Sequence, residues 1–478
     1  MSGQMLKFVE RGRETPDKDS PAARRRHWDE IYRRFAGDRA AAQAGRCSQC
    51  GVPFCQVHCP LHNNIPDWLQ LTAEGRLEEA YEVSAATNSF PEVCGRICPQ
   101  DRLCEGNCVI EQAGHGTVTI GAIESFITET AFDNGWVKPI RPRAERRESV
   151  GIVGAGPAGL AAADRLRRRG YQVHVYDRHD RAGGLLIYGI PSFKLEKPIV
   201  LRRWQLLVDS GVVFHLDCAV GRDVSFAELR ARHAAVLVAT GVYRARDIEA
   251  PGSGLANIAQ AMDYLTASNR KGLGDAVPAF DEGTLNAAGK HVVVIGGGDT
   301  AMDCVRTAVR QGAKSVKCLY RRDRQNMPGS QREVQHAEEE GVEFVWQAAP
   351  EAFTGDRAVR GVRALRMRLA EPDATGRQGP ETLPGSAFTL KADMVIRALG
   401  FDAEDLPAAF GEAGLDVTHW GTVKAAFGTG ATALPGVYAA GDIVRGASLV
   451  VWAIRDGRDA ADAIHDDIAG RSVSAAAE

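Results

Sequence analysis

The sequence predicts an α/β protein with two Rossmann-like dinucleotide-binding domains, one inserted in the other, behind a small α-helical domain pinned by cysteine-bound metal. Three observations predict it. A strand, a glycine turn and an alanine-rich helix lead into a second strand between Val150 and Tyr176, and the same unit recurs between Lys290 and Tyr320. Another apolar strand runs into Gly441-Asp442 near the C-terminus, well after the second unit. Of eleven cysteines, eight lie between Cys47 and Cys108.

Size and composition agree. A chain of 478 residues suits about three domains at roughly 150 residues each. Its 58 basic and 61 acidic residues leave a formal charge of −3, which argues against a nucleic-acid partner. At 44% hydrophobic and 25% charged, the chain is an ordinary globular protein rather than a disordered one. The segment Met1–Asp19 is charged throughout, without the apolar core of a signal peptide, and no run of 18 apolar residues occurs. We therefore expect a cytoplasmic protein with no membrane association. Disulfides are disfavoured there, so clustered cysteines read as metal ligands.

In chain order, residues 1–145 form the helical domain, with helices expected over Ala22–Arg34, Asp67–Glu74, Leu77–Ser84 and Ala122–Asn134. A charged, proline-punctuated linker, Lys138 to Arg147, follows. The first nucleotide domain is expected to be discontinuous, 146–250 and 402–478, with the second, 251–401, inserted in it. Ala239-Thr240-Gly241 and Ala398-Leu399-Gly400 look like the places where the chain crosses between them.

In Gly154-Ala155-Gly156-Pro157-Ala158-Gly159 the first glycine makes the turn and the second admits a pyrophosphate. The third lets helix pack on strand, and the phosphate sits at the helix N-terminus. Asp177 ends the following strand, where a ribose-binding carboxylate belongs. The early turn and the late Gly441-Asp442 together resemble flavoproteins of the glutathione-reductase type, in which such an aspartate contacts the ribityl chain of FAD. The first nucleotide is then FAD. The second turn, Gly296-Gly297-Gly298-Asp299-Thr300-Ala301, has alanine as its third small residue. The next strand ends in Arg321-Arg322-Asp323 rather than a lone carboxylate. Arginines there can fork onto a 2′-phosphate, so NADPH is preferred, with Asp323 leaving room for NADH.

A flavin beside a nicotinamide needs no protein nucleophile, and no catalytic acid or base is assigned. Cys218, Cys304 and Cys318 offer no redox dithiol, so electrons must leave by another route. The clustered cysteines supply one. Their runs are Cys47-x2-Cys50-x4-Cys55-x3-Cys59-Pro60 and Cys94-x3-Cys98-x5-Cys104-x3-Cys108, enough thiolates for two 4Fe–4S clusters. Zinc competes, but it usually uses paired C-x2-C knuckles and moves no electrons. In two-cluster ferredoxins the cysteine before proline ligates the other cluster. By that logic Cys47, Cys50 and Cys55 take Cys108, and Cys59 joins Cys98 and Cys104, with Cys94 or a non-cysteine group as the fourth ligand.

The strings Arg46–Cys55, Cys59–Pro66, Gly95–Cys108, Gly183–Pro191 and Gly446–Gly457 resemble the small (β) subunit of bacterial NADPH-dependent glutamate synthase, in order and over essentially the whole chain. The resemblance implies oxidation of NADPH at FAD, with Arg178, Gly184, Leu185 and Gly241 beside the flavin site. It implies transfer through clusters to a large (α) subunit that makes glutamate from glutamine and 2-oxoglutarate, in a higher hetero-oligomer. A related subunit could instead serve a pyrimidine-, sulfide- or ferredoxin-linked acceptor. Dihydropyrimidine dehydrogenases carry a similar N-terminal module with a glutamine ligand, whose position here matches Glu124. Cys94 and Glu124 both stand as candidates for the fourth ligand, Glu124 having the alternative of an exposed helix carboxylate.

Overall fold

The computed structural model describes residues 6–373 and 378–477, the side chains of 472–477 excepted. Among them no helix is long and apolar enough to cross a membrane.

The N-terminal region is helical, with Ile65–Ala73, Leu77–Thr87, Pro91–Ile97 and Ile120–Asp133 packed around Trp68, Ile123 and Ile127. One expected helix is largely absent. Ser20 caps a single turn, Pro21–Arg24, and the chain then runs on without helix to Ala36. Tertiary contacts override local propensity here. Asp19 N–H donates to Ile31 O (3.0 Å) and Arg33 N–H to Asp17 O (2.8 Å), folding the strap back on itself. Ile31 and Phe35 are buried, and Arg24 is buried against Glu339 of the second nucleotide-binding unit, 2.6 Å away.

Two five-stranded parallel sheets follow. The first has the order Val437–Ala439, Ala235–Val238, Ser149–Val153, Gln172–Tyr176, Val213–His215. Its strands are near-continuous apolar runs, as buried parallel strands require. Val437–Ala439 pairs with Val236–Val238, so the C-terminal segment returns to this sheet after the second is complete. The second sheet has the order Ile258–Gln260, Met394–Arg397, His291–Ile295, Ser315–Tyr320, Glu343–Trp346. The two stretches joining the sheets run side by side, Phe401 opposite Ala245 and Asp402 opposite Arg244, as a short antiparallel ribbon. An antiparallel sheet of Ala348–Thr354, Gly361–Pro372, Gln378–Thr382 and Phe388–Lys391 is attached to the second unit. The long C-terminal helix Val450–Ala477 lies on helix Pro157–Arg168; a Cβ at Gly457 would stand 2.1 Å from Ala158 O.

Candidate active site and metal centres

The two glycine turns are built alike. At the first, Gly154 has φ +110° and a Cβ there would meet Ala239 O at 2.3 Å, while a Cβ at Gly159 would stand 1.9 Å from Gly154 O. Both positions need glycine for the protein's own packing. Gly156 differs: a Cβ would find nothing within 4 Å. That open space faces the start of helix Pro157–Arg168, whose N-cap, Gly156, provides no side-chain hydrogen bond. Free N–H groups and the helix dipole at such a start are what a phosphate group would meet there. Gly184 closes in behind, a Cβ there falling 2.9 Å from Gly156 Cα. Asp177 accepts from Ala155 N–H (2.7 Å) and His179 N–H (2.8 Å), which places its carboxylate beside the turn. Arg178 points elsewhere, donating to Glu404 (2.9 Å) and lying over the Tyr243 ring. Asp442 is pushed up to about 6 by burial, against a hydrogen bond from the Ser448 backbone.

The second turn repeats the pattern. A Cβ at Gly296 would meet Ala398 O at 2.2 Å, whereas one at Gly298 would find nothing within 4 Å. Gly298 caps helix Asp299–Arg310 without a side-chain bond, and Ala301 is buried beneath. Arg321 is exposed at the end of strand Ser315–Tyr320, and Arg322 Nε donates to Tyr320 Oη (3.2 Å). Asp323 Oδ1 accepts both Asn326 N–H and Asn326 Nδ2 at 2.9 Å, so this carboxylate is engaged in its own turn.

One cavity joins the two turns. Its wall includes Gly154, Gly156, Asp177, Gly184, Leu185, Gly241 and Asp442 from the first, and Asp299 and Thr300 from the second. It also includes Ile97, Cys98 and Pro99 of the second cysteine run. Thr240 contributes a buried hydroxyl that has no protein partner, and Lys194 reaches across from the first unit to Asp303 of the second (2.8 Å). The open glycine cradles and the unpartnered Thr240 suit two dinucleotides meeting end to end.

The thiols ring two voids, and not by sequence run. Cys47, Cys50, Cys55 and Cys108 line one, together with Pro53, Leu69 and Ile120. Cys59, Cys94, Cys98, Cys104 and Glu124 line the other. Among the described residues no three ligating side chains converge where a single metal ion would sit. Soft donors spread around apolar voids fit a multi-atom cluster. Burial pushes Cys47 and Cys55 up to about 12 and Cys59 to about 11, values a bound metal would reverse by holding the thiolate. Glu124 is not an exposed helix carboxylate. It is buried, and its Oε1 accepts from Asn88 Nδ2 (3.1 Å), Asn63 Nδ2 (3.3 Å) and Ser84 Oγ (3.5 Å), all neutral donors. Burial pushes it up to about 8.

Several residues of this region carried no sequence signal. Tyr243 and Lys194 are single residues whose partners lie far off in sequence, Arg178 over the Tyr243 ring and Asp303 beside Lys194. Gln100 opens a single 3-10 turn, Gln100–Arg102, and Arg332 stands at the start of helix Gln331–Glu339, two segments that meet only in the tertiary structure: Arg102 Nη1 donates to Pro328 O (2.7 Å) and Arg332 Nη2 to Gln100 Oε1 (2.7 Å).

Comparison with known proteins agrees with this layout. Residues 24–136 match the family described as dihydropyrimidine dehydrogenase domain II, 4Fe-4S cluster, and residues 148–457 match pyridine nucleotide-disulphide oxidoreductase. The chain is 69% identical over 462 residues to a glutamate synthase (NADPH) small chain from Azospirillum brasilense, covering 97% of this chain and 96% of that one. It is 44% identical to the Escherichia coli protein of the same name, covering 97% and 99%. A putative oxidoreductase of Escherichia coli, AegA, is 45% identical over 96% of this chain but 70% of its own length. Among solved structures, Mycobacterium tuberculosis FprA in complex with NADPH is similar, with TM-score 0.59 and 20% identity over 69% of this chain and 86% of FprA. That likeness shows the shared fold.

Proposed function

The chain belongs to the family of NADPH glutamate synthase small chains, and on that premise we propose that it is the electron-input subunit of such an enzyme: an NADPH-dependent flavin oxidoreductase whose two 4Fe–4S clusters pass electrons to a large subunit. The single observation that carries the reading is the cavity wall shared by both glycine turns and by Cys98. FAD bound there would accept two electrons from NADPH and release them singly to iron–sulfur clusters.

The chain's own residues bind and orient. Gly156 with the N-terminus of helix Pro157–Arg168 would hold the FAD pyrophosphate, on a turn that Gly154 and Gly159 keep tight, with Asp177 at the ribose and Gly441 with Asp442 at the ribityl chain. Pro157, Ala158, Gly184, Leu185 and Gly241 shape the walls. Gly296, Gly298, Asp299, Thr300 and Ala301 form the NADPH cradle, and Arg321 with Arg322 meets the 2′-phosphate. Neutralising both arginines should weaken NADPH by about a hundredfold or more while NADH changes little, since each charge-assisted bond contributes about 1.5–3 kcal/mol and two are lost. Steady-state KM values for the two nucleotides check this, and equal losses would refute the 2′-phosphate role.

The second ring holds five candidate ligands for a cluster that takes four. We assign the fourth place to Glu124, because its buried carboxyl lines the same void as Cys59, Cys98 and Cys104 and has only neutral donors, so iron would supply the positive charge that its ionised form lacks. Glu124→Ala should then lose about half the iron and Cys94→Ala should keep it all; the reverse pattern assigns Cys94.

Acceptor identity is tested by co-expression. A large glutamine-hydrolysing subunit that co-purifies with this chain, in a higher hetero-oligomer, supports the reading. Failure of NADPH to bleach bound flavin would sink it. AegA, which carries a similar stretch within a longer chain, favours a second reading in which the same module feeds another acceptor. Absence of the large subunit together with normal bleaching would support that one.

A further inference from the structure

Arg332 is the second residue of helix Gln331–Glu339 in the second nucleotide unit, yet its guanidinium is spent on the cysteine domain. Nη2 donates to Gln100 Oε1 (2.7 Å) and reaches Cys98 O at 3.4 Å. Gln100 is buried, and its Nε2 donates to Cys94 O and Gly95 O, both at 3.1 Å. Its own carbonyl accepts from Leu103 N–H (3.1 Å), Glu105 N–H (2.9 Å) and Gly106 N–H (3.0 Å). Gln100 therefore organises the loop that carries Cys98 and Cys104, and Arg332 is the cation placed on it from outside. The same side chain lines the cavity shared by the two glycine turns. Ser330 ties its loop to the second turn, donating its N–H to Asp299 Oδ1 (2.9 Å).

We propose that Arg332 sets the reduction potential of the cluster held at Cys59, Cys98 and Cys104, its positive charge favouring the form that carries one more electron. This rests on the reading of the second thiol ring as a cluster site. The physical basis is that net charge and hydrogen bonds around the ligating sulfurs set cluster potentials, and that a half-buried charge is poorly screened by solvent. Burial works against the charged guanidinium, but the carboxylates of Glu105, Glu333 and Asp101 hold its pKa above the usual value, so the charge persists. Arg332 is a positioning residue: it acts through the Gln100 turn and links the nucleotide unit to the electron exit.

The test is a potentiometric titration followed by electron paramagnetic resonance on the anaerobic full-length chain with its iron and flavin. Arg332→Gln keeps an amide donor and removes the charge, while Arg332→Lys keeps the charge and removes the fork. For the signal that Cys104→Ser deletes, Arg332→Gln should shift the one-electron equilibrium about tenfold toward oxidised, ~59 mV downward. Arg332→Lys should stay near wild type, and iron content should not change. An unmoved midpoint in Arg332→Gln with full iron overturns the proposal, as does an equal fall in Arg332→Lys. Should Arg332→Gln lose iron, Arg332→Lys decides alone: a wild-type midpoint supports the charge, and a lowered one overturns it. A wild-type chain with no iron at the second ring fails the cluster reading itself, and the role of Arg332 with it.

Discussion

Gly156→Ala should yield a folded chain that purifies almost free of flavin, whereas Gly159→Ala should lose stability before it loses ligand. The two positions lie three residues apart in one motif, but their surroundings differ. A methyl at Gly156 enters open space and meets no protein atom within 4 Å, so it obstructs only what would occupy the cradle. We expect FAD affinity to fall about a hundredfold, ~2.7 kcal/mol, with the apoprotein melting as wild type. At Gly159 the added Cβ stands 1.9 Å from Gly154 O, and helix and strand must separate. That costs ~3 kcal/mol or more before any ligand binds. Flavin released on denaturation and the thermal midpoint of the deflavinated protein separate the two. If Gly156→Ala binds FAD normally, the cradle is misassigned.

Cysteine substitutions should pair across the two runs rather than within them. Cys108→Ser and Cys47→Ser are expected to delete the same cluster signal, while Cys59→Ser and Cys104→Ser delete the other, each with loss of about half the iron. Cys108 stands in the ring of Cys47, Cys50 and Cys55, and Cys59 in the ring of Cys98 and Cys104. Crossed ligation staples the segments together, so each loss should also lower domain stability, since metal binding to such sites is folding free energy. In all four variants NADPH should still bleach the flavin, while reduction of an external acceptor through the clusters collapses. If Cys59→Ser and Cys47→Ser delete the same signal instead, the ligation follows the runs and the crossing is wrong.

Short-range features were readable. The glycine turns, their apolar strands and the small-residue helices follow local rules, because a phosphate cradle is made by contiguous backbone. The crossed grouping of thiols follows the Cys59-Pro60 signature that the sequence carries: Cys59 lines the void of Cys98 and Cys104, and Cys108 that of Cys47, Cys50 and Cys55. The strap 25–36 was not readable, because its side chains find distant partners instead of completing a helix: Tyr32 Oη meets His336 Nε2 (3.0 Å), Glu30 accepts from Arg96 Nε (2.8 Å) and Arg34 donates to Asp133 (2.5 Å). The antiparallel sheet after Trp346 leaves little local signal for a related reason. Its strands are polar on the exposed side and interrupted by turn residues, so their pairing depends on register.

Chemistry-bearing residue types are legible along the chain: two glycine turns, eight clustered thiols and, outside them, no dithiol motif. Packing alone sets where these parts lie relative to one another. It opened Cys98 and both glycine turns onto one cavity. It buried Glu124 among neutral donors, and it set Arg332 against the Gln100 loop. The physical reason is that ligand types and turn geometry are local properties of a chain. Burial, the pairing of charges and the closeness of redox sites arise from residues far apart in sequence, and exist only once the domains pack.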